Sequence, residues 1–378
     1  MKYLLIVLTF CLSLALAQEE VLFIIPAEIS GGGATVGNNW ADGANLAAEH
    51  INAAGGILGA TVVTEVLDTQ TDPPTSKAVI AKGLEQSPFA VIGPVYSGST
   101  IVNMVEAERA QTPQWVGSEA ASITQQGNQY IFRTSSGQNG SIPKVTRYMQ
   151  EQGINSVVII YVNNEFGQGG RAAAVENFEA LGVEVLLELS TEQQQADFTA
   201  EVLQAMMMNT DAIFAYTNEE ESARLLMALK QQDTSIPVFG EAVLLSQTVL
   251  DLAGDAANGV AGHVNLTAEA PVPAVQDFRA AFEEKYGYTP DHNGMKGYIA
   301  MFVAKEMAER VGSFDRMAVA EQLHCALITT EDEPGVLMDI AYDENGDIDR
   351  DTFLISIEDG KQVVTGVLPR LKNTCADQ

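Results

Sequence analysis

Two series of alternating strand and helix patterns constrain the fold of this chain more than any other feature. Short apolar runs rich in β-branched residues, such as residues 21–25 and 156–162, predict buried strands, and helical patterns separate each run from the next. A small, polar, glycine-containing segment, residues 135–140, lies between the two series and is typical of a hinge. Such alternation predicts parallel sheets with right-handed crossovers. We therefore expect an α/β fold with two doubly wound parallel-sheet lobes.

One junction between a strand and a helix has the composition of a binding loop. Residues 89–92 predict a buried strand that Gly93 and Pro94 end, and Ser97 precedes a helix predicted over residues 101–109. The hydroxyl groups of this loop can cap the helix, and the free N–H groups of the first turn can bind an anionic group. An ordinary helix cap explains the same residues, so this stretch alone leaves both interpretations open.

Length and charge limit the class of protein. The chain has 378 residues, enough for two domains, and 46% of them are hydrophobic, so large cores can form. Its formal net charge is −30. An acidic surface of this kind repels nucleic acid and anionic membranes, so we expect no nucleic-acid partner.

The N-terminus has the pattern of a secretory signal peptide. Lys2 is followed by an apolar run, residues 3–17, that ends in an A-x-A sequence, which predicts cleavage before Gln18. The run is too short to cross a membrane. Phe10 precedes Cys11 where a lipoprotein signal would have a small residue. We therefore predict a signal peptide over residues 1–17 and export to the periplasm without a lipid anchor.

Two cysteines, Cys325 and Cys375, remain after removal of this segment. An even number in an exported protein indicates one disulfide, although two separate buried thiols stay open as an alternative. Closing a loop of about 50 residues would stabilise the fold by roughly 4 kcal/mol in the chain-entropy description.

Motifs that would indicate other functions do not fit their usual spacing. The loop that contains Gly31 resembles a dinucleotide-binding loop, with Asp68 as its acidic partner, but five residues separate Gly31 from the preceding strand. Residues 343–349 are acidic but lack calcium-binding spacing, because Leu354 stands where the bidentate glutamate would be. Metal-ligand spacing among the histidines and a G-x-S-x-G elbow are both absent from the sequence. We predict no cofactor, no metal and no enzymatic activity.

Several short motifs follow one another in a specific order and spacing, although each is loose by itself. They are DGANLA at residues 42–47, INAAGGI at 51–57, Asp68 with Asp72-Pro73, VIGP at 91–94 with Ser97, FRT at 132–134, FGQG at 166–169, AG at 253–254 with GV at 259–260, and YG at 286–287 with Pro290. Together they resemble the type I periplasmic solute-binding proteins of ABC transporters, in particular the branched-chain amino-acid-binding (leucine, isoleucine and valine) subgroup. The resemblance covers nearly all of the mature chain.

This resemblance implies two lobes joined by three crossovers, with a ligand trapped between them by hinge closure. The crossovers would lie near residues 133–137, 263–266 and 353. Lobe 1 would then comprise residues 18–135 plus 264–353, and lobe 2 would comprise residues 136–263 plus 354–378.

The resemblance also implies a set of ligand-binding positions. Ser97 would bind the ligand carboxylate through its N–H and hydroxyl groups. Glu119 departs from the family, which has a small polar residue there, and its carboxylate would repel a ligand carboxylate or bind an amine. Glu241 precedes the position of the family's ammonium-binding glutamate, so either the loop shifts or the ammonium site is absent. The complete set is Tyr96, Ser97, Gly117, Ser118, Glu119, Phe166 as an aromatic lid, Asn218 and Glu241.

We therefore expect the substrate-binding component of an ABC importer, with a membrane permease as its partner. The ligand would be an amino acid, an amide or a small carboxylate. A monomer suits docking to a permease. A sensory domain that signals to a separate membrane receptor, and an exported enzyme, are the two alternatives.

Overall fold

The computed structural model describes residues 19–370 and Cys375. The predicted signal peptide, residues 1–17, lies outside the described residues. Among the residues that are described, no helix is both long enough and apolar enough to cross a membrane.

The first half of the chain forms a five-stranded sheet in which all pairs are parallel. Its strand order is β2-β1-β3-β4-β5, and helices connect the first four strands. The elements are β1 (Glu20–Ala27), α1 (Ala34–Ala53), β2 (Thr61–Asp68), α2 (Pro73–Leu84), β3 (Ala90–Ile92), α3 (Ser97–Arg109), β4 (Gln114–Val116) and β5 (Ile131–Arg133).

The second series forms another sheet, in which five parallel strands follow the order β10-β9-β8-β6-β7. The elements are α4 (Gln138–Glu151), β6 (Ser156–Val162), α5 (Glu165–Ala180), β7 (Glu184–Thr191), α6 (Thr199–Met207), β8 (Ala212–Tyr216), α7 (Glu219–Gln231), β9 (Val238–Gly240), α8 (Gln247–Ala253) and β10 (Ala261–Val264).

The chain then returns to the first sheet with α9 (Pro273–Tyr286), α10 (His292–Val311), α11 (Arg316–Leu323) and a small antiparallel pair, β11 (Leu327–Ile328) and β12 (Ile340–Ala341). Helix α10 packs against α1 at very short range. A Cβ atom at Gly43 would lie 1.9 Å from the carbonyl oxygen of Gly294, and one at Gly297 would lie 2.2 Å from that of Trp40. Only glycine allows this approach, which fixes α10 relative to the sheet.

An antiparallel hairpin, β13 (Thr352–Glu358) and β14 (Lys361–Leu368), completes the second sheet by pairing with β10. The fold prediction is confirmed, because both series form doubly wound, mainly parallel sheets. At the level of single residues the limits of the lobes stay a prediction. Val264 and Phe353, which that prediction assigns to lobe 1, lie in strands of the second sheet.

The described residues also show how the segments between the two sheets are held together. Buried ion pairs join Arg133 to Asp347 at 3.1 Å and Lys144 to Asp349 at 2.7 Å. Arg350 donates a 2.9 Å hydrogen bond to the carbonyl oxygen of Thr134. Buried charges require such partners, so the connecting segments are fastened to one another by charge as well as by chain connectivity.

Cys325 and Cys375 are joined by a disulfide, with their Cα atoms 5.2 Å apart. The bond attaches the end of the chain to the segment that follows α11.

Candidate ligand-binding site

A cleft lies between the two sheets, at the carboxyl ends of their parallel strands. One wall is formed by the loops and first helical turns that follow β1, β2, β3 and β4, together with the first two turns of α10. The loops after β6, β7, β8 and β9 form the other. This is the edge where ligands bind in open α/β sheets, because side chains from several loops converge there.

Helix α3 presents its amino-terminal end to the cleft at Ser97. The first hydrogen bond of the helix is donated by the N–H of Thr100 to the carbonyl oxygen of Tyr96, so the N–H groups of the first turn have no partner within the helix. The hydroxyl oxygen of Ser97 accepts a 3.2 Å hydrogen bond from the N–H of Ala120, which leaves the hydroxyl hydrogen free to donate. Of the two interpretations left open by the sequence, the helix cap is not observed: the helix begins at Ser97 itself, four residues earlier than predicted, and its N-cap residue is Tyr96.

Glu28 holds this loop in place and was not anticipated from the sequence. Its carboxylate accepts hydrogen bonds from the N–H groups of Val95 at 3.3 Å and Tyr96 at 3.1 Å. Burial raises the pKa of Glu28 to about 7, although these N–H groups lower it. The only sequence signal is an acidic residue directly after a buried strand.

The segment after β4 contributes two of its three predicted residues to the cleft. Gly117 and Glu119 line it, and Gly117 is packed against the ring of Trp40. The hydroxyl of Ser118 instead contacts that of Thr100 and donates a 3.3 Å hydrogen bond to a backbone carbonyl. Ser118 is thus not a lining residue: successive residues of an extended segment point to opposite sides, and its side chain fastens this loop to α3.

Lys296 is the cation of this wall. Its Nζ donates to Glu119 Oε1 at 2.8 Å and to the carbonyl oxygen of Gly117 at 3.2 Å. The side chains of Lys296 and Glu119 are only 2% and 5% exposed. The glutamate that departs from the family pattern therefore has a buried partner. A lysine among the buried, mostly apolar residues of the first three turns of α10 is the available signal in the sequence.

The opposite wall is partly aromatic. The ring of Phe166 stacks on that of Tyr216, with centroids 4.3 Å apart and planes inclined by 21°. Asn164 caps α5 by accepting a 2.9 Å hydrogen bond from the N–H of Gly167, which positions Phe166 in the first turn. Asn218, the N-cap residue of α7, also lines the cleft.

Glu241 does not line the cleft, in contrast to its predicted role. Strand β9 ends at Gly240, and Val243 is the residue of the following loop that reaches the cleft. Glu241 is buried with His263 Nε2 3.9 Å away. Burial and the charge of Glu119 raise the pKa of Glu241, whereas burial lowers the pKa of His263 to about 4.

Contacts between the two walls show that the cleft is closed. Asn293 Nδ2 donates to Glu219 Oε1 at 3.3 Å, and Thr248 Oγ1 donates to Asp291 Oδ2 at 2.9 Å. Burial raises the pKa of Glu219 well above its ordinary value, a shift that favours the uncharged form.

Several buried polar atoms of the cleft have no hydrogen-bond partner within the described part of the protein. They are Glu119 Oε2, Asn218 Nδ2, His292 Nδ1 and Asn293 Oδ1. Buried polar atoms are normally paired, so a bound molecule has donors and acceptors to satisfy here. The described residues contain no cluster of three or more histidine, cysteine, aspartate or glutamate side chains that could hold a metal ion.

The fold and this closed cleft define a two-lobed binding protein. A sequence model of the family described as "Periplasmic binding protein" matches residues 25–362. The chain belongs to this family of binding proteins, which confirms both the resemblance and the prediction that it is not an enzyme.

The chain is also similar to known relatives and solved structures. It is 25% identical over 351 residues to the leucine-, isoleucine-, valine-, threonine- and alanine-binding protein of Pseudomonas aeruginosa, covering 91% of each chain. Its fold matches a leucine-binding protein from Thermotoga maritima with a TM-score of 0.83 and 22% identity, covering 92% of this chain and 99% of the other. It also matches a solute-binding protein of an ABC transporter from R. palustris in complex with benzoate, with a TM-score of 0.85, 18% identity and coverages of 94% and 98%.

Proposed function

We propose that this protein is the substrate-binding component of an ABC importer, which captures a small molecule by closing two lobes around it. The observation that carries the proposal is the buried cleft, to which both walls contribute polar atoms that have no hydrogen-bond partner among the described residues. Family membership and the transport-related names of the matched proteins support the same conclusion.

The ligand is an amino acid, an amide or a small carboxylate. A carboxylate is favoured by Ser97, whose hydroxyl is free to donate, and by the adjacent N–H groups of the first turn of α3. The matched proteins are consistent with this range, because one is named for branched-chain amino acids and another is bound to benzoate.

The protein acts in the periplasm as a monomer that presents its closed form to a membrane permease. The signal-peptide pattern of residues 1–17 supports export. Oxidation of Cys325 and Cys375 after export would form the disulfide that joins Cys375 to the segment after α11.

A thermal-shift screen of amino acids, their amides and small aliphatic and aromatic carboxylates tests this function. A ligand that binds only the folded state raises the melting temperature, and at about 100 times its Kd it stabilises by roughly 2.7 kcal/mol. Cells that lack the protein should then lose uptake of the same compound. If no small molecule shifts the melting temperature, the transport function is refuted.

A further inference from the structure

We propose that the ligand is a carboxylate without a charged amino group, and that Lys296 selects it. This inference deepens the proposed function and rests on it. The position of the Lys296 ammonium group within the cleft carries the argument.

The Lys296 ammonium group takes up two of the acceptors that the first wall offers to a cation. It donates to the Gly117 carbonyl oxygen and to Glu119 Oε1, and both contacts are buried. A ligand ammonium group that bound to these two acceptors would have to displace a lysine side chain that is held by two hydrogen bonds.

The acceptors of this wall that remain do not suit an ammonium group. Asn293 Oδ1 and His292 Nδ1 lack a partner among the described residues, but neither carries a negative charge to offset an ammonium group. Glu119 Oε2 has no hydrogen-bond partner among the described residues, but it belongs to the carboxylate that Lys296 already neutralises. A ligand ammonium group bound there would be close to the Lys296 ammonium group in a site with little water, where like charges repel strongly. An uncharged hydroxyl or N–H donor would satisfy Glu119 Oε2 without this repulsion.

The acidic groups of the opposite wall do not compensate for this repulsion. Glu219 is engaged by Asn293, and burial shifts its titration toward the uncharged form. Glu165 is exposed at the rim, where water weakens its field. Glu241, the candidate ammonium partner from the sequence, lies outside the cleft lining.

A carboxylate, in contrast, finds donors that are not otherwise used. Lysine has three ammonium hydrogens, and the hydrogen bonds to Gly117 and Glu119 occupy two of them. The Ser97 hydroxyl hydrogen and the N–H groups at the start of α3 supply further donors. Val36, Val95 and the Phe166 ring provide an apolar lining for the body of the ligand.

Matched ligand pairs test the inference by calorimetry on the mature protein. The pairs are leucine with 4-methylpentanoate and phenylalanine with 3-phenylpropanoate, and benzoate is included as a further carboxylate. We expect at least one amine-free acid to bind, and to bind at least tenfold more tightly than its amino acid. Tighter binding of either amino acid, or failure of every acid to bind while another class of compound raises the melting temperature, overturns the inference and leaves the transport function intact.

Variants assign the effect to Lys296. The double variant Lys296→Met with Glu119→Gln removes both charges together, so it leaves no buried unpaired ion, and it should weaken binding of the acid at least tenfold. Glu119→Gln alone retains the cation but removes the carboxylate that neutralises it, so it should bind the acid more tightly than the wild type. Lys82→Met, at an exposed position on α2, is the matched control and should bind normally. Circular dichroism verifies folding of each variant. Unchanged affinity in the folded double variant refutes the role of Lys296.

Discussion

Gln138 Nε2 donates a 2.7 Å hydrogen bond to the carbonyl oxygen of Phe166. The same nitrogen donates to the Tyr216 hydroxyl at 3.1 Å, and Gln138 Oε1 accepts from the N–H of Ala121 at 3.2 Å. One buried amide at the start of α4 thus connects the segment after β4 with the aromatic wall of the cleft. It satisfies groups on both sides of the closed site.

Replacing Gln138 with alanine should weaken the closed form. The change leaves the buried carbonyl oxygen of Phe166 without its side-chain donor and the half-buried N–H of Ala121 without its side-chain acceptor, and an unsatisfied buried group costs about 1–3 kcal/mol. We expect lower stability in urea and a ligand affinity reduced about tenfold. Gln168→Ala, on the exposed side of α5, is the matched control. Wild-type affinity in Gln138→Ala would show that this amide does not contribute to closure.

Replacing Ser97 with alanine should reduce ligand affinity. The accompanying loss of stability should be smaller than that of a core mutation. The hydroxyl is a hydrogen-bond donor to the ligand in the proposed site, and a hydrogen bond to a charged group contributes about 1.5–3 kcal/mol. Calorimetry with the compound found by screening measures the loss, which should be tenfold or more. Ser122→Ala, in the short helical turn that follows the cleft-lining segment, serves as a comparison. If Ser97→Ala binds normally, the carboxylate site lies elsewhere.

Removing one partner of the buried Lys144–Asp349 pair should destabilise the protein strongly. Lys144→Met leaves a buried carboxylate without its 2.7 Å partner, at a cost of about 3–5 kcal/mol. Urea denaturation measures the change in the free energy of unfolding. Lys361→Met, at an exposed strand position, should change it by less than about 0.5 kcal/mol. Similar stabilities of the two variants would contradict the structural role of the pair.

Glu28 should make stability depend on pH. Because burial raises its pKa from 4.5 to about 7 in the folded state, the folded protein binds this proton more tightly than the unfolded chain does. Its stabilising contribution is complete below about pH 4.5 and is lost as the pH rises through about 7, a change of roughly 3 kcal/mol. Glu28→Gln should remove this part of the pH dependence.

Urea denaturation of wild type and Glu28→Gln between pH 4.5 and 8 gives the free energy of unfolding at each pH. The contribution of Glu28 is the difference between the two proteins in how this free energy changes with pH. Other buried acids contribute equally to both proteins and cancel. Glu85→Gln, at an exposed position, should follow the wild-type profile. Parallel profiles for wild type and Glu28→Gln would refute the predicted titration.

Reduction of the Cys325–Cys375 disulfide should lower the free energy of unfolding by roughly 4 kcal/mol, because the bond closes a loop of 50 residues. The double variant Cys325→Ser with Cys375→Ser should behave like the reduced protein. Thiol titration of the unfolded, unreduced protein should detect no free cysteine in the mature chain. Two free thiols would contradict the bond.

The sequence was sufficient for the features that depend on local pattern. The strand, the break at Gly93-Pro94 and the hydroxyl residues predict a binding loop at Ser97, and the structure places that residue in the cleft lining. Strand and helix alternation likewise predicts both sheets, because hydrophobic periodicity reflects burial.

Local sequence patterns do not predict contacts between segments that are far apart in the chain. Lys296 reaches Glu119 from 177 residues further along the chain, and no local pattern links the two. The family resemblance predicts Glu241 as a ligand-binding residue from its position in the sequence, but Val243 of the loop after β9 lines the cleft instead. Glu28 is identified as a loop anchor only by its hydrogen bonds to Val95 and Tyr96.

The close contact between α1 and α10 makes recognition depend on residues that never meet the ligand. Gly43 of α1 lies directly against Gly294 of α10, so this backbone contact determines how far Lys296 extends into the cleft. A single methyl group at Gly43 would push α10 outward and withdraw the lysine, together with His292 and Asn293, from the cleft. The absence of a Cβ atom at Gly43 therefore determines whether the Lys296 ammonium group reaches the cleft.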